Sequence, residues 1–305
     1  MALKSFRAAL LLALAAALLP RAAGAEDKVK VVATFSILGD FAKEIGGERV
    51  EVATLVGPDG DAHSYSPTPA DSRRLGEAKL VVVNGLKLEG WIARLIKSSG
   101  TKARVVEAAK GVKPLKAEAE PGHEHGHDHA EFDPHAWQDI TNAKIYAGNI
   151  RDGLAAADPV GKAVYEANAA AYLVKLDALE TEVKEAIGRV PPERRRIITS
   201  HDAFGYFEKA YGLKFISPQG VSTDAEASAK DVAKIIQQIR REKIKAVFLE
   251  NVSDPRLMER IAKESGATIG GKVYSDALSR PDGPAPTYVD MMRHNVTAFS
   301  TALSS

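Results

Sequence analysis

The chain is 305 residues long, with 41 basic and 40 acidic side chains, a formal charge of +1 and no cysteine. That balance offers no electrostatic footprint for nucleic acid or an anionic membrane surface. Without disulfides the fold must rest on its own core, which a chain of this length can build in two domains of about 100–150 residues each.

Residues 1–25 read as an export leader. Lys4 and Arg7 precede an unbroken apolar run from Ala8 to Leu19, and Ala23-Gly24-Ala25 supplies a small-residue cleavage pattern. The run is 12 residues long, short of the roughly 20 that span a bilayer. A product beginning at Glu26 loses Lys4, Arg7 and Arg21 and no acid, which leaves 38 bases against 40 acids. With no cysteine at the cleavage site, the expectation is a soluble periplasmic monomer that is not lipid-anchored.

Residues 26–158 alternate short β-branched runs with helical patterns. Val29 to Thr34, Val50 to Leu55, Lys79 to Asn84 and Arg104 to Val106 are predicted strands, with helical stretches at Asp40 to Ile45 and Gly90 to Lys97. Residues 116–131 interrupt this rhythm with no apolar residue larger than alanine, which predicts a disordered surface loop. Residues 159–190 form one long helix by pattern, from Val160 to Gly188, with Tyr172, Leu173, Leu176, Leu179, Val183 and Ile187 on one stripe. At 1.5 Å per residue it would run about 43 Å, a strut between two lobes.

Residues 191–305 repeat the alternation. Arg196 to Thr199, Lys214 to Ile216, Lys245 to Leu249 and Gly271 to Tyr274 read as strands. A helix near Ala227 to Arg241 carries Val232, Ile235, Ile236 and Ile239, and another runs from Pro255 to just before Gly266. A last helix carries Tyr288, Met291, Met292 and Phe299, with His294 off the stripe and expected at the surface. Trp91 and Trp137 are expected in the core. The fold class is therefore α/β: two lobes, each with a mainly parallel sheet flanked by helices, joined by one long linking helix.

His63, His135, His201 and Asp276 stand just past apolar runs or beside turn signals, and in open parallel sheets such positions border the ligand crevice. His63 and His135 would come from one lobe, His201 and Asp276 from the other. Three imidazoles and a carboxylate form a plausible tetrahedral set for Zn2+. Taken singly, a histidine at a strand end is more often hydrogen-bonded or solvated, and Ser275-Asp276 is ordinary turn chemistry. No HExxH helix occurs, so the fold alone must bring the four together. His123, His125, His127 and His129 alternate along the loop and would supply weak secondary sites.

Several stretches carry a family likeness. They include Val32-Ala33-Thr34-Phe35-Ser36-Ile37-Leu38, Asp61-Ala62-His63-Ser64-Tyr65-Ser66-Pro67, Asn84-Gly85-Leu86-Lys87-Leu88-Glu89-Gly90-Trp91 and Asp133-Pro134-His135-Ala136-Trp137. Ser200-His201-Asp202-Ala203-Phe204-Gly205-Tyr206-Phe207, Glu250-Asn251 and Tyr274-Ser275-Asp276 continue it. With them the chain resembles the zinc and manganese solute-binding proteins of ABC importers, the cluster A-I or ZnuA/TroA-like family. The resemblance implies metal in the cleft between two lobes, held at His63, His135, His201 and Asp276. Manganese-type members typically place a glutamate where this chain has His201, so that departure favours zinc, as does the His-rich loop.

The resemblance implies a high-affinity Zn2+-binding component, not an enzyme, that hands its ion to an ABC permease and its ATPase subunit. No GxxxxGK[ST] loop occurs here, which leaves ATP hydrolysis to that partner. Mn2+ is a second acceptable ion, although zinc outcompetes manganese at such N/O sites. The pattern also resembles a subgroup supplied by a periplasmic zinc metallochaperone. Two other readings stay open on the residues: a secreted zinc-dependent hydrolase, which would need an open coordination position and a general base, and a periplasmic zinc buffer or adhesin dominated by the His tract.

Overall fold

The computed structural model describes residues 27–117 and 131–304. The leader, and the tract with His123, His125, His127 and His129, lie outside the described residues. Strand β1 (Val29–Phe35) is buried at every position except Lys30, because it runs through the middle of a sheet covered on both faces. β2 (Val50–Val56) and β3 (Leu80–Val83) pair with its two edges, and β4 (Arg104–Glu107) pairs with β3. A second sheet repeats the plan. β6 (Lys214–Ile216) and β7 (Ala246–Glu250) flank β5 (Arg196–Ile198), and β8 (Thr268–Val273) lies beyond β7. Every pairing is parallel, as the alternating sequence pattern implied.

In each sheet the chain moves outward both ways from its first strand. The order reverses between β1 and β3 and again between β5 and β7, and the carboxyl ends at those reversals open a crevice. Helices α1 (Ser36–Gly46), α2 (Pro69–Glu77), α3 (Ile92–Ser99) and α4 (Ile140–Ala157) flank the first sheet. The second is flanked by α6 (Gly205–Tyr211), α7 (Ala229–Glu242), α8 (Pro255–Ser265) and α9 (Tyr288–Ser304).

Between them, α5 (Lys162–Gly188) is one unbroken helix of 27 residues, about 40 Å long. Its buried edge is Tyr165, Ala169, Tyr172, Leu176, Leu179, Val183 and Ile187, spaced by three or four residues. Leu173, expected on that stripe, is only half-buried at its margin. The edge packs on α1 and α4 and also on α9, so one helix serves both lobes. A single apolar core follows it across the seam, from Phe35 and Trp137 to Phe204, Phe248 and Phe299. Phe41 of α1 meets Tyr172 of α5 at 5.5 Å and Tyr288 of α9 at 4.9 Å. The two lobes thus share one aromatic core, which opposes their swinging as independent bodies.

Two local expectations are corrected. β8 begins at Thr268, three residues earlier than Gly271, because Gly270 and Gly271 lie inside the strand. A Cβ at Gly270 would sit 2.6 Å from the Phe248 ring, and the ladder shifts register between Val247 and Phe248, so the glycines form a bulge that lets this ring close on the strand. His294 is half-buried rather than at the surface, with its Nε2 2.9 Å from the Lys272 carbonyl oxygen. Among the described residues no helix is long and apolar enough to cross a membrane.

Candidate metal centre

The four residues singled out in the sequence meet at the crevice. His63 lies in the irregular turn after β2, where its backbone N–H donates to Asp61 Oδ1 at 2.8 Å and Trp91 Nε1 donates to the Ala62 carbonyl at 2.8 Å. Trp91 is thus half-buried, packed against the core as expected, and braces this turn. His135 precedes a short 3-10 turn, Ala136–Gln138, and His201 lies three residues past the end of β5. Asp276 follows β8, and its loop is tied to that of His135. The Ser275 carbonyl accepts from Trp137 Nε1 at 3.0 Å and from Gln138 Nε2 at 2.8 Å. Trp137 is fully buried as expected, and its ring also walls the site 5.3 Å from that of His135.

One ligand atom from each of the four residues lies within 4.8 Å of all the others. His63 Nε2 is 3.2 Å from His135 Nε2 and 3.1 Å from Asp276 Oδ2. His201 Nε2 is 3.1 Å from the same oxygen, and His135 Nε2 is 3.5 Å from Asp276 Oδ1. A tetrahedral zinc with bonds of 2.0–2.1 Å spaces its ligand atoms by about 3.3 Å. Four of the six pairs are thus spaced by 3.1–3.5 Å, close to that separation. All but His63 are fully buried, and His63 is 9 % exposed.

Two carboxylates that the sequence reading did not single out stand behind the imidazoles. Asp133 Oδ1 accepts both the backbone N–H of His135 at 2.9 Å and lies 2.7 Å from its Nδ1. Glu250, the last residue of β7, places Oε2 2.6 Å from His201 Nδ1 while Oε1 accepts from the backbone N–H of Ser200 and His201 at 2.6 and 3.0 Å. Asp133 is thereby set to hold the proton on Nδ1 and leave the Nε2 lone pair free, while Glu250 brings its charge against the other ring; both raise the basicity of the imidazole they back. The signal for Asp133 was in plain view, an acid two residues before a histidine. That for Glu250 was not, since it depends on β7 pairing with β5.

The electrostatics point the same way. Burial pushes His135 down, but Asp276 and Asp133 outweigh it and lift the imidazole to about 9. His201 is likewise held well above its ordinary value, burial being outweighed by Glu250 and Asp276. Burial pushes Asp276 up, yet His201 and His135 keep its carboxyl well below the usual range. Three inward lone pairs and a buried carboxylate call for positive charge at their centre, which protons or a dication can supply.

Comparison with known proteins agrees with this geometry. Residues 31–302 match the family described as ZnuA, zinc-uptake complex component A, periplasmic. The chain is 35% identical to the manganese-binding lipoprotein MntA of Halalkalibacterium halodurans over 94% of this chain and 95% of that one. It is 33% identical to PsaA of Streptococcus pneumoniae, named a manganese ABC transporter substrate-binding lipoprotein, over 91% of this chain and 90% of the relative. The solved periplasmic zinc-binding protein TroA of Treponema pallidum superposes with a TM-score of 0.83 at 31% identity, covering 90% of this chain and 99% of that one.

These relatives correct one expectation. MntA, PsaA and others are named lipoproteins, against a reading of this chain as not lipid-anchored. Missing cysteine speaks to one attachment chemistry, and that was too narrow a ground for placing the protein free of the membrane. The likeness also settles the class of activity. Relatives are named as substrate-binding proteins of ABC transporters, not as enzymes, and the hydrolase reading falls away. The chain belongs to the ZnuA family of metal-binding components of ABC importers.

Proposed function

We propose that this protein captures Zn2+ outside the cytoplasm in the cleft between lobes 26–158 and 191–305 and delivers it to the permease. His63, His135, His201 and Asp276 are the ligands in this reading, and helix 159–190 is the strut across which the lobes tilt. The observation that carries it is the convergence of three imidazoles and one carboxylate within 4.8 Å, two of the imidazoles being backed by carboxylates. Three nitrogen donors suit zinc, and at an N/O site of this kind zinc binds more tightly than manganese. Four protein ligands close the coordination sphere, as capture rather than catalysis requires.

A second ion is favoured by one feature. Asp276 Oδ2 faces His63 and His201 at 3.1 Å while Oδ1 faces His135 at 3.5 Å, so both carboxylate oxygens are available and a fifth bond can form. Mn2+ accepts such a sphere, and relatives are named for manganese. The reading extends to a monomer supplied by a zinc metallochaperone, with His123, His125, His127 and His129 adding weak sites. Competition calorimetry of Zn2+ against Mn2+, with anomalous scattering from the loaded crystal, tests the assignment. Tight zinc binding at these four side chains is expected, and a preference for manganese or an ion bound elsewhere would overturn it.

A further inference from the structure

Asp133 is fixed from the opposite lobe. Tyr206, on the first turn of α6 just after the His201 loop, is 3 % exposed. Its hydroxyl donates to the Asp133 carbonyl at 3.0 Å and accepts from the Leu115 N–H at 3.0 Å. Leu115 closes the ring, its carbonyl accepting from the Asp133 N–H at 2.9 Å. Beside Tyr206, a Cβ added to Gly205 would lie 2.7 Å from Asp133 Oδ2, so that oxygen rests against bare backbone. The acid that aims His135 is thus gripped on its carbonyl and its carboxylate by the element that follows His201. Burial pushes the Tyr206 phenol up to about 12, which keeps it a donor at any physiological pH.

We propose that Tyr206 is a positioning residue that couples metal affinity to lobe tilt: it holds Asp133, and through it the His135 ring, in place only while the lobes keep this mutual setting. A tilt that moves α6 away from residues 115 and 133 draws on the Asp133 carbonyl, turns its carboxylate away from Nδ1 and loosens one of the four ligands. Release then begins at His135 without any ligand being displaced by a competitor. The proposal rests on His135 being a metal ligand.

Tyr206→Phe removes the hydroxyl and keeps the ring. Tyr211→Phe serves as its control. Tyr211 sits on the same helix, and its hydroxyl accepts from the Ile140 N–H at 3.1 Å across the same seam without touching Asp133 or His135. Zinc dissociation into excess chelator and the d–d absorption of the Co2+-substituted full chain are the readouts, with melting of the metal-free protein alongside. Both variants should melt somewhat lower. Tyr206→Phe alone should release zinc about 10-fold faster, the low end of what outer partners of metal-bound histidines command, and should shift the Co2+ bands. Gly205→Ala, pressing on Asp133 from its other side, should act in the same direction. Release and Co2+ bands in Tyr206→Phe that match those of Tyr211→Phe would overturn the coupling. Tight zinc binding that survives His135→Ala would instead remove the ligand assignment beneath it.

Discussion

In the proposed site, His201 and His63 bring their Nε2 atoms to the same Asp276 oxygen from differently built places. His201 lies three residues past the end of the central strand β5, is fully buried, and has Glu250 beside its Nδ1 and on its backbone N–H. His63 sits in an irregular turn, is 9 % exposed, and is held only through its backbone by Asp61. Among the described residues nothing grips its Nδ1. A ligand on a strand end is placed by the sheet before any metal arrives, whereas a ligand on a turn must be ordered by the metal itself, at a cost in entropy. The second lobe therefore supplies the rigid half of the site and the turn after β2 the yielding one.

The sharpest way to break this contrast is to delete each imidazole in turn. His201→Ala should cost the most, more than the roughly 100-fold that outer partners reach, because it removes a preset donor and strands Glu250 in a buried pocket. His63→Ala should cost clearly less. Isothermal titration with Zn2+ under chelator competition measures both, and equal losses would show that the sheet confers no advantage. Next in size comes the backing carboxylate. Glu250→Gln should weaken zinc by about 10–100-fold, while Asp61→Asn, which meets His63 only at its backbone and otherwise accepts from the Ser64 and Thr223 hydroxyls, should weaken it far less. A larger effect from Asp61→Asn would reverse the ranking of the two halves.

The sequence exposed this contrast unevenly, for physical reasons. Strand ends and turn signals marked His63, His201 and Asp276, because apolar runs and their terminators are local. Convergence is not local. Glu250 reaches His201 only because β7 pairs with β5 at the point where strand order reverses, and no periodicity encodes strand order. Tyr206 and Asp133 meet across the lobes in the same way. Gly270 and Gly271 misled because a glycine pair that usually punctuates here makes room for the Phe248 ring. Most strands were by contrast legible to within a residue or two, and so was the long α5, whereas α2 and α6 drew no helical reading and α1 starts four residues before the predicted Asp40.

Away from the metal, the seam offers a pH test. Asp40 Oδ2 accepts from the Tyr288 N–H at 2.9 Å, joining α1 to α9. Burial, with Glu44 and Asp290 adding to it, pushes its carboxyl up to about 7 from 3.8, against the pull of the Tyr288 N–H. A raised acid makes the folded state bind the extra proton between those values, so this group lowers stability as pH rises towards 7 and exerts its full cost above it. Asp40→Asn should therefore melt higher than the parent at pH 8, with the gap shrinking as pH falls towards 5. Calorimetry of the metal-free protein decides it, and a gap that does not change with pH would remove Asp40 from the account. Since neither half of the metal site contains Asp40, zinc affinity at pH 8 should change little.

The smallest effect on tight binding is expected from removing residues 118–130, which carry His123, His125, His127 and His129. The bridge between Lys116 and Phe132 closes the chain on either side of that stretch, and the Asp133 N–H bonds to the Leu115 carbonyl just behind it. A short linker across the bridge therefore leaves the stem that supports His135 intact. Alternating histidines on one short stretch can chelate by themselves, and sites of that kind are expected to be weak. Equilibrium dialysis with Zn2+ should lose the weak, superstoichiometric ions and keep one tight ion per chain. Loss of that tight ion on deletion would mean that the tract, and not the rigid half of the cleft, governs capture.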